Sequence, residues 1–353
     1  MAAGARATFS EATKVEQLDS QTYKVNLHSD YCVGKGKALA SISLPNGGYT
    51  ASCMLVAANR HLASRGQSDT FTAHFEYPNR TSAGPAVVVI DEVKLGRTLS
   101  TLQLTLWQGA LLDHAPWFDA SRSLRTVLGY TNHANLSAFT DTSMPTGQEV
   151  TPAASMPPVP KFAALKTTGS DNVWEQSRWP NALKQSASNE NWKFFLPRQG
   201  QLSPGVLDMW VCLANGEKMT QSMLPYAADS LPHNLHTFLT TPEIRAVLDE
   251  PPPNKVERDT VMEARQDVAR NKARGSMWFP TVLLNLEAKT RLPDEGVEWL
   301  AVKVTSKQVK NGRFDLDVAM RGVGGELVAL SQQVALMVSW ERNVGKKRSE
   351  AAL

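Results

Sequence analysis

Four polar side chains stand where apolar strands would not be expected to carry them. Thr281 and Asn285 interrupt the run from Trp278 to Glu287, and Gln332 with Gln333 interrupts the run from Ser331 to Trp340. A buried hydroxyl or amide costs free energy unless it is partnered. Two such clusters on neighbouring strands therefore imply either a satisfied core network or a site. Gln332 and Gln333 alternate faces, so one points inward and the other outward. The inward amide could serve chemistry or could satisfy a core group, and Asn285 carries the same two readings.

Further up the chain, Gly47 and Gly48 precede a run from Tyr49 to Ala63 that is rich in Ala, Leu and Met and free of Pro and Gly. That composition predicts a buried helix. The glycines form a tight turn before it, and backbone N–H groups at such a helix start are the usual contact for a carbonyl oxygen or an oxyanion. His74 lies in a strand-like run, Thr72 to Phe75, as a satisfied histidine or a ligand contact.

Several chemistries find no support. The chain has no Gly-x-Ser-x-Gly elbow, no phosphate loop and no dinucleotide fingerprint. Its seven histidines lack metal-binding spacing, so neither a metal nor another cofactor is implied. Cys32, Cys53 and Cys212 are too few and too far apart for a disulfide framework or a cysteine-based zinc site, and fit a reducing compartment. With 353 residues, 42% hydrophobic and 20% charged, the composition is that of a soluble globular chain. A formal net charge of +3 is too small to point to nucleic acid. No apolar run reaches membrane-span length and the amino terminus lacks a signal-peptide core, so a cytoplasmic protein is the expectation.

The elements that must position these residues recur in two halves. In the first, strand-like segments at Tyr23 to His28 and Gly34 to Ser43 lead into the helix. Three extended runs follow it: Asp69 to Tyr77, Pro85 to Leu95 and Leu99 to Gln108. In the second, a strand from Val206 to Leu213 and a helical segment within Lys218 to Ser230 precede four strands. These are Trp278 to Lys289, Val297 to Gln308, Phe314 to Arg321 and Glu326 to Val338. Between the halves, prolines and many Ser, Thr and Asn residues predict an irregular connector over 113–200. A polar insert near 250–275 alternates acidic and basic residues, as a solvated helix or mobile loop would. An internal duplication of a helix-on-antiparallel-sheet unit explains the repeat, with units at 10–112 and 201–345. Two such units can join their sheets edge to edge and hide two exposed edges.

A helix wrapped by a curled antiparallel sheet is the hotdog fold, and two in tandem make an α+β double hotdog. The segments Leu44 to Ser52, Gly96-Arg97 and Trp278 to Thr281, in that order and spacing, resemble the thioesterase-like double-hotdog proteins related to acyl-CoA thioesterase II. The resemblance covers roughly residues 10–110 and 200–340. It implies an acyl-thioester hydrolase whose Asp, Thr and Gln from the second hotdog hold and polarise the attacking water. Pro225 to Asp229 resembles the family's Gly-Tyr-Ala-Ser-Asp element, which places Asp229 at the catalytic carboxylate; capping a helix end is the plainer role for it. Leu327 to Gln333 resembles the strand that ends in the catalytic amide, which places Gln333 there. The Thr position falls on Leu283, with Thr281 two residues earlier and, by period two, on the same face.

The substrate implied is an acyl-CoA or a carrier-bound acyl or polyketide chain. It would run along an apolar channel beside the helices, lined by Met54, Leu55 and Trp278. Gly47, Gly48, His74, Leu283 and Asn285 would complete the binding surface. An apolar Leu283 in place of a hydroxyl leaves room for a repurposed enzyme that dehydrates, isomerises or cyclises a polyketide-like substrate. A non-catalytic acyl-binding protein is the third reading. Two hotdogs in one chain can act as a monomer or assemble further as a homo-oligomer.

Overall fold

The computed structural model describes residues 6–33, 43–148, 154–177, 186–203, 205–232, 235 and 277–339, with backbone only at 277, 278 and 339. The expected extended segment at 34–42 and the polar insert at 250–275 lie outside the described residues. Helix α1 (Phe9–Ala12) opens the described chain and is closed by a capping box between Thr8 and Glu11. The first half continues with β1 (Val15–Gln17), β2 (Thr22–Leu27), β3 (Cys32–Val33) and β4 (Leu44–Pro45). Helix α2 (Gly47–Leu62) comes next, then β5 (Asp69–Glu76), β6 (Gly84–Leu95), β7 (Ser100–Gln108) and β8 (Leu124–Ala134). After α3 (Phe162–Thr168) come β9 (Trp174–Gln176), β10 (Trp192–Pro197), β11 (Val206–Leu213) and α4 (Leu224–Ala228). The chain ends with β12 (Met277–Trp278), β13 (Thr281–Ala288), β14 (Leu300–Thr305), β15 (Val309–Lys310), β16 (Arg313–Arg321), β17 (Leu327–Leu336) and β18 (Val338–Ser339).

One antiparallel sheet of 14 strands joins the halves in the order β1-β2-β6-β7-β8-β5-β13-β17-β16-β14-β11-β10-β9, with β15 added beside β16. The seam is β5 against β13, with Ala73 opposite Leu286 and His74 opposite Asn285. Each of these strands would otherwise be an exposed edge, and pairing them satisfies both. One row across the seam reads Leu104, Gly129, Phe75, Leu284, Gln333 and Leu316, all buried. The next row reads Tyr130, His74, Asn285, Gln332 and Asp317, and it faces outward. Period two thus sorts an apolar inner face from a polar outer one, and Gln333 is the polar member of the inner row.

Helix α2 packs on the inner face. Asn46 caps it by accepting the Tyr49 N–H at 2.9 Å, and Arg60 and His61 in its last turn complement the helix dipole. Alanines at 51, 57 and 58 let the buried helix lie close to the sheet. Phe9, Tyr31, Tyr49, Trp192 and Tyr226 form a buried aromatic cluster that ties α2 to α4; the Tyr31 and Tyr49 rings stack at 4.6 Å. The Tyr226 hydroxyl donates to the Ser188 carbonyl at 3.0 Å, and the Asn191 amide donates to it at 3.0 Å. A phenol buried in this way needs such partners, and they fix the short helix that carries Asp229.

The stretch 113–200 is not an irregular connector. It contains β8, an 11-residue strand between β7 and β5, together with α3, β9 and β10. Thr126, Thr131 and His133 point inward from β8 and are buried, so the strand lacks the apolar alternation by which strands are recognised.

Candidate functional site

The start of α2, the end of α4, the bulged start of β13 and the inner face of β17 converge on one carboxylate. Asp229 is the residue after α4, with its N–H donating to the Pro225 carbonyl at 3.1 Å. Its Oδ1 accepts the Thr281 hydroxyl at 2.9 Å, and its Oδ2 accepts the Gly48 N–H at 2.8 Å. The Asn46 amide donates to its backbone carbonyl at 3.2 Å. Gly47 and Gly48 are thus at the site, but their amides hold the carboxylate rather than waiting for a substrate carbonyl. The positive end of α2, from the first half, faces a negative group from the second.

Burial pushes the Asp229 carboxyl up to about 6, while the Gly48 amide, the Thr281 hydroxyl and the Gly47 amide pull it down. The group remains ionised at neutral pH but binds a proton readily, which suits a general base. Gln333 is 1% exposed and donates from Nε2 to the Ala228 carbonyl at 3.0 Å, which brings its amide beside the same turn. Sequence reasoning missed Tyr77. Its hydroxyl donates to the Gly47 carbonyl at 2.9 Å, and burial and the Asp229 charge both raise its pKa.

The expected face of Thr281 is reversed by a β-bulge. Thr281 is opposite Ala335, yet Leu283 is opposite Val334, so two steps along β13 match one step along β17. Ala335 is buried and Val334 is 41% exposed. Thr281 therefore shares the inner face with Gln333, and Leu283 shares the outer face with Val334. Leu283 does not occupy the hydroxyl position beside Asp229; Thr281 does. His74 and Asn285 likewise stand on the outer face, bonded to one another at 2.7 Å between Nδ1 and Oδ1. With Gln332 they line an open groove of about 770 Å³ that is separated from Asp229 by the sheet. These three residues are not brought to the site. Met54 and Leu55 are fully buried in the core and present no surface to a ligand; the Trp278 side chain lies outside the described residues. Half-buried Tyr77, Leu231, Phe279 and Met337 pack on the core from its margin. Among the described residues no group of three His, Cys, Asp or Glu side chains is placed to hold a metal ion.

Comparison with known proteins identifies the family and the fold. Models of the acyl-CoA thioesterase N-terminal and C-terminal domains match residues 38–123 and 161–337. The thioesterase-like protein TwmA of Talaromyces wortmannii is 56% identical over 347 residues, covering 98% of this chain and 96% of that one. A hot dog fold protein of unknown function from Alicyclobacillus acidocaldarius superposes with a TM-score of 0.60 at 15% identity, over 95% of this chain and 99% of the other. The acyl-CoA thioesterase II TesB2 of Mycobacterium marinum gives a TM-score of 0.56 at 14% identity, over 94% and 98%. The double-hotdog architecture expected from the sequence is therefore the fold of this chain.

Proposed function

From the premise that the chain belongs to the acyl-CoA thioesterase family, we propose that it hydrolyses acyl thioesters with a water held by Asp229, Thr281 and Gln333. The observation that carries this reading is the Thr281 hydroxyl on the Asp229 carboxylate at 2.9 Å, with the Gln333 amide on the same inner face. Asp229 takes a proton from the water as its oxygen attacks the thioester carbonyl carbon. The tetrahedral intermediate then expels the thiolate, which takes the proton from Asp229 and becomes the thiol, so that the carboxylate is restored and the acyl group leaves as the acid. Asp229 has the burial that a base near neutrality requires, and the two amides at the start of α2 keep it ionised and aimed. Gln333 Nε2 donates to the Ala228 carbonyl at 3.0 Å and to the Ser331 hydroxyl at 3.5 Å, so its Oε1 is the atom that would accept a hydrogen from the water. Acyl-CoA or a carrier-bound acyl chain is the substrate class, entering past the half-buried apolar margin formed by Tyr77, Leu231, Phe279 and Met337. The dehydrating or cyclising alternative drew its support from an apolar Leu283 at the site. With Leu283 on the outer face, that support is gone.

A panel of acyl-CoA thioesters tests the proposal. Free thiol should be released from at least one chain class, with kcat/KM falling as the pH drops through about 6, where Asp229 takes up its proton. Binding of acyl ligands with no thiol release at any chain length would leave an acyl-binding protein instead.

The bulge supplies a second test. Thr281→Val keeps the shape of the side chain and removes the hydroxyl, and should lower kcat by about 10²-fold. It should also move the acid limb to higher pH, because that hydroxyl bond favours the ionised carboxylate. Leu283→Thr should leave kcat near the parental value and should not rescue Thr281→Val. Rescue would place the working hydroxyl at 283 and sink the assignment of faces.

A further inference from the structure

Two hydrogen bonds at the site end on the same peptide group. The Tyr77 hydroxyl donates to the Gly47 carbonyl at 2.9 Å, and the Gly48 N–H donates to Asp229 Oδ2 at 2.8 Å. That carbonyl and that N–H belong to one planar unit, so fixing the oxygen fixes the direction of the N–H. A donor on the carbonyl also polarises the amide and strengthens its N–H as a donor. Tyr77 lies at the end of β5, and its N–H bonds the Val282 carbonyl at the bulge of β13. The phenol is therefore anchored to the strand that also carries Thr281. Its ring lies over Gly47, and a Cβ there would stand 3.4 Å from the ring and 3.1 Å from Asp229 Oδ2.

We infer that Tyr77 is a positioning residue, which acts on Asp229 through the Gly47–Gly48 peptide and aims that amide at the carboxylate. The inference rests on the hydrolase reading only for its effect on rate; the hydrogen-bond chain itself does not depend on it. Asp229 and Tyr77 are the titratable groups that face one another here. No lysine, arginine or histidine is among the groups acting most strongly on either. Tyr77 thus couples the first hotdog to the base carried by the second by a route separate from the aromatic cluster.

The test is Tyr77→Phe in the full chain, which removes one oxygen and keeps the ring over Gly47. Carboxyl ¹³C NMR follows the titration of Asp229, its resonance identified by loss in Asp229→Asn. With the hydroxyl gone, the Gly48 amide becomes a weaker and less well aimed donor. The titration midpoint should therefore move to higher pH, and the acid limb of kcat/KM should move with it. kcat should fall about tenfold, the lower range for outer partners of an active group, with KM within about twofold. A change in thermal stability with both midpoints unmoved would overturn the inference and leave Tyr77 a packing residue. If the carboxyl titration moves while neither protein releases thiol, the positioning role stands and the hydrolase reading fails.

Discussion

Asp229→Asn is expected to lower thioester hydrolysis by on the order of 10³-fold while making the protein more stable at neutral pH. The amide keeps the local hydrogen bonds. Its oxygen can accept the Gly48 N–H, and its NH₂ can donate to Thr281 Oγ1 once that hydroxyl turns its proton elsewhere. What disappears is a charge that the site holds at a cost. Burial raises the native carboxyl to about 6 from an ordinary value of 3.8, so between these values the native state binds more protons than the unfolded chain. Stability then falls as the pH rises through that window, and the loss is complete above it. Asparagine escapes this loss. Urea or thermal unfolding should show the variant ahead of the parent above about pH 6, with the gap closing towards pH 4. Parental activity in the variant would mean that the site is misplaced; loss of activity with loss of stability at pH 7 would mean that the carboxylate is a structural anchor.

A carboxylate less stable than its amide in the same place is what the proposed catalytic base requires and what a simple helix cap does not. A helix cap is stabilised by its charge, since the dipole and the exposed amides favour the anion. Here those favourable contacts are present, from Gly47 and Gly48, and burial still outweighs them. The balance also explains the second half's unusual geometry. A five-residue helix with proline near its start carries Asp229, and tyrosine packing holds it against α2. Neither element alone places the carboxylate in reach of Thr281.

Much of this was legible in the residues and some was not. The long helix and the strands from Asp69 to Gln108 follow from apolar periodicity, and the edge-to-edge seam follows from two similar units. Asp229 was found only through a short family motif, whereas Gln333 stood out first as a polar residue in an apolar strand and took its role from a motif. The bulge between Thr281 and Leu283 was invisible because Thr-Val-Leu-Leu contains no glycine or proline to mark it. A period-two reading carried across it put Thr281 and Leu283 on one face, and one extra residue reverses that for every position behind it. The same limit hid Tyr77, which reads as the last residue of a strand and gains its role from a peptide 30 residues earlier. His74 and Asn285 drew notice as polar residues in strands, but a pair bonded across the outer face is what a satisfied seam requires.

Gly48→Ala should then be more damaging to the molecule than removal of any single polar group at the site. A Cβ at position 48 would lie 2.1 Å from the Pro225 carbonyl oxygen and 2.7 Å from Asp229 Cβ. The first clash is with backbone, which cannot swing aside as a long side chain would. Either α4 retreats from α2 or the first turn of α2 unwinds, and both break the Gly48 bond to Asp229. The cost should be about 3 kcal/mol or more, at the upper range for overpacking, although alanine is the better helix former. Chemical unfolding should show that loss, and hydrolysis should fall at least as far as in Thr281→Val even where the variant remains folded. Gly47→Ala offers the contrast. Its Cβ would meet Asp229 Oδ2 at 3.1 Å and the Tyr77 ring at 3.4 Å, contacts with side chains that can yield by a few tenths of an ångström. That variant should keep most of its stability and lose activity, because the groups displaced are the base and the phenol that aims its partner amide. Equal stability loss in the two variants would show that the approach of α4 to α2 is looser than this contact implies.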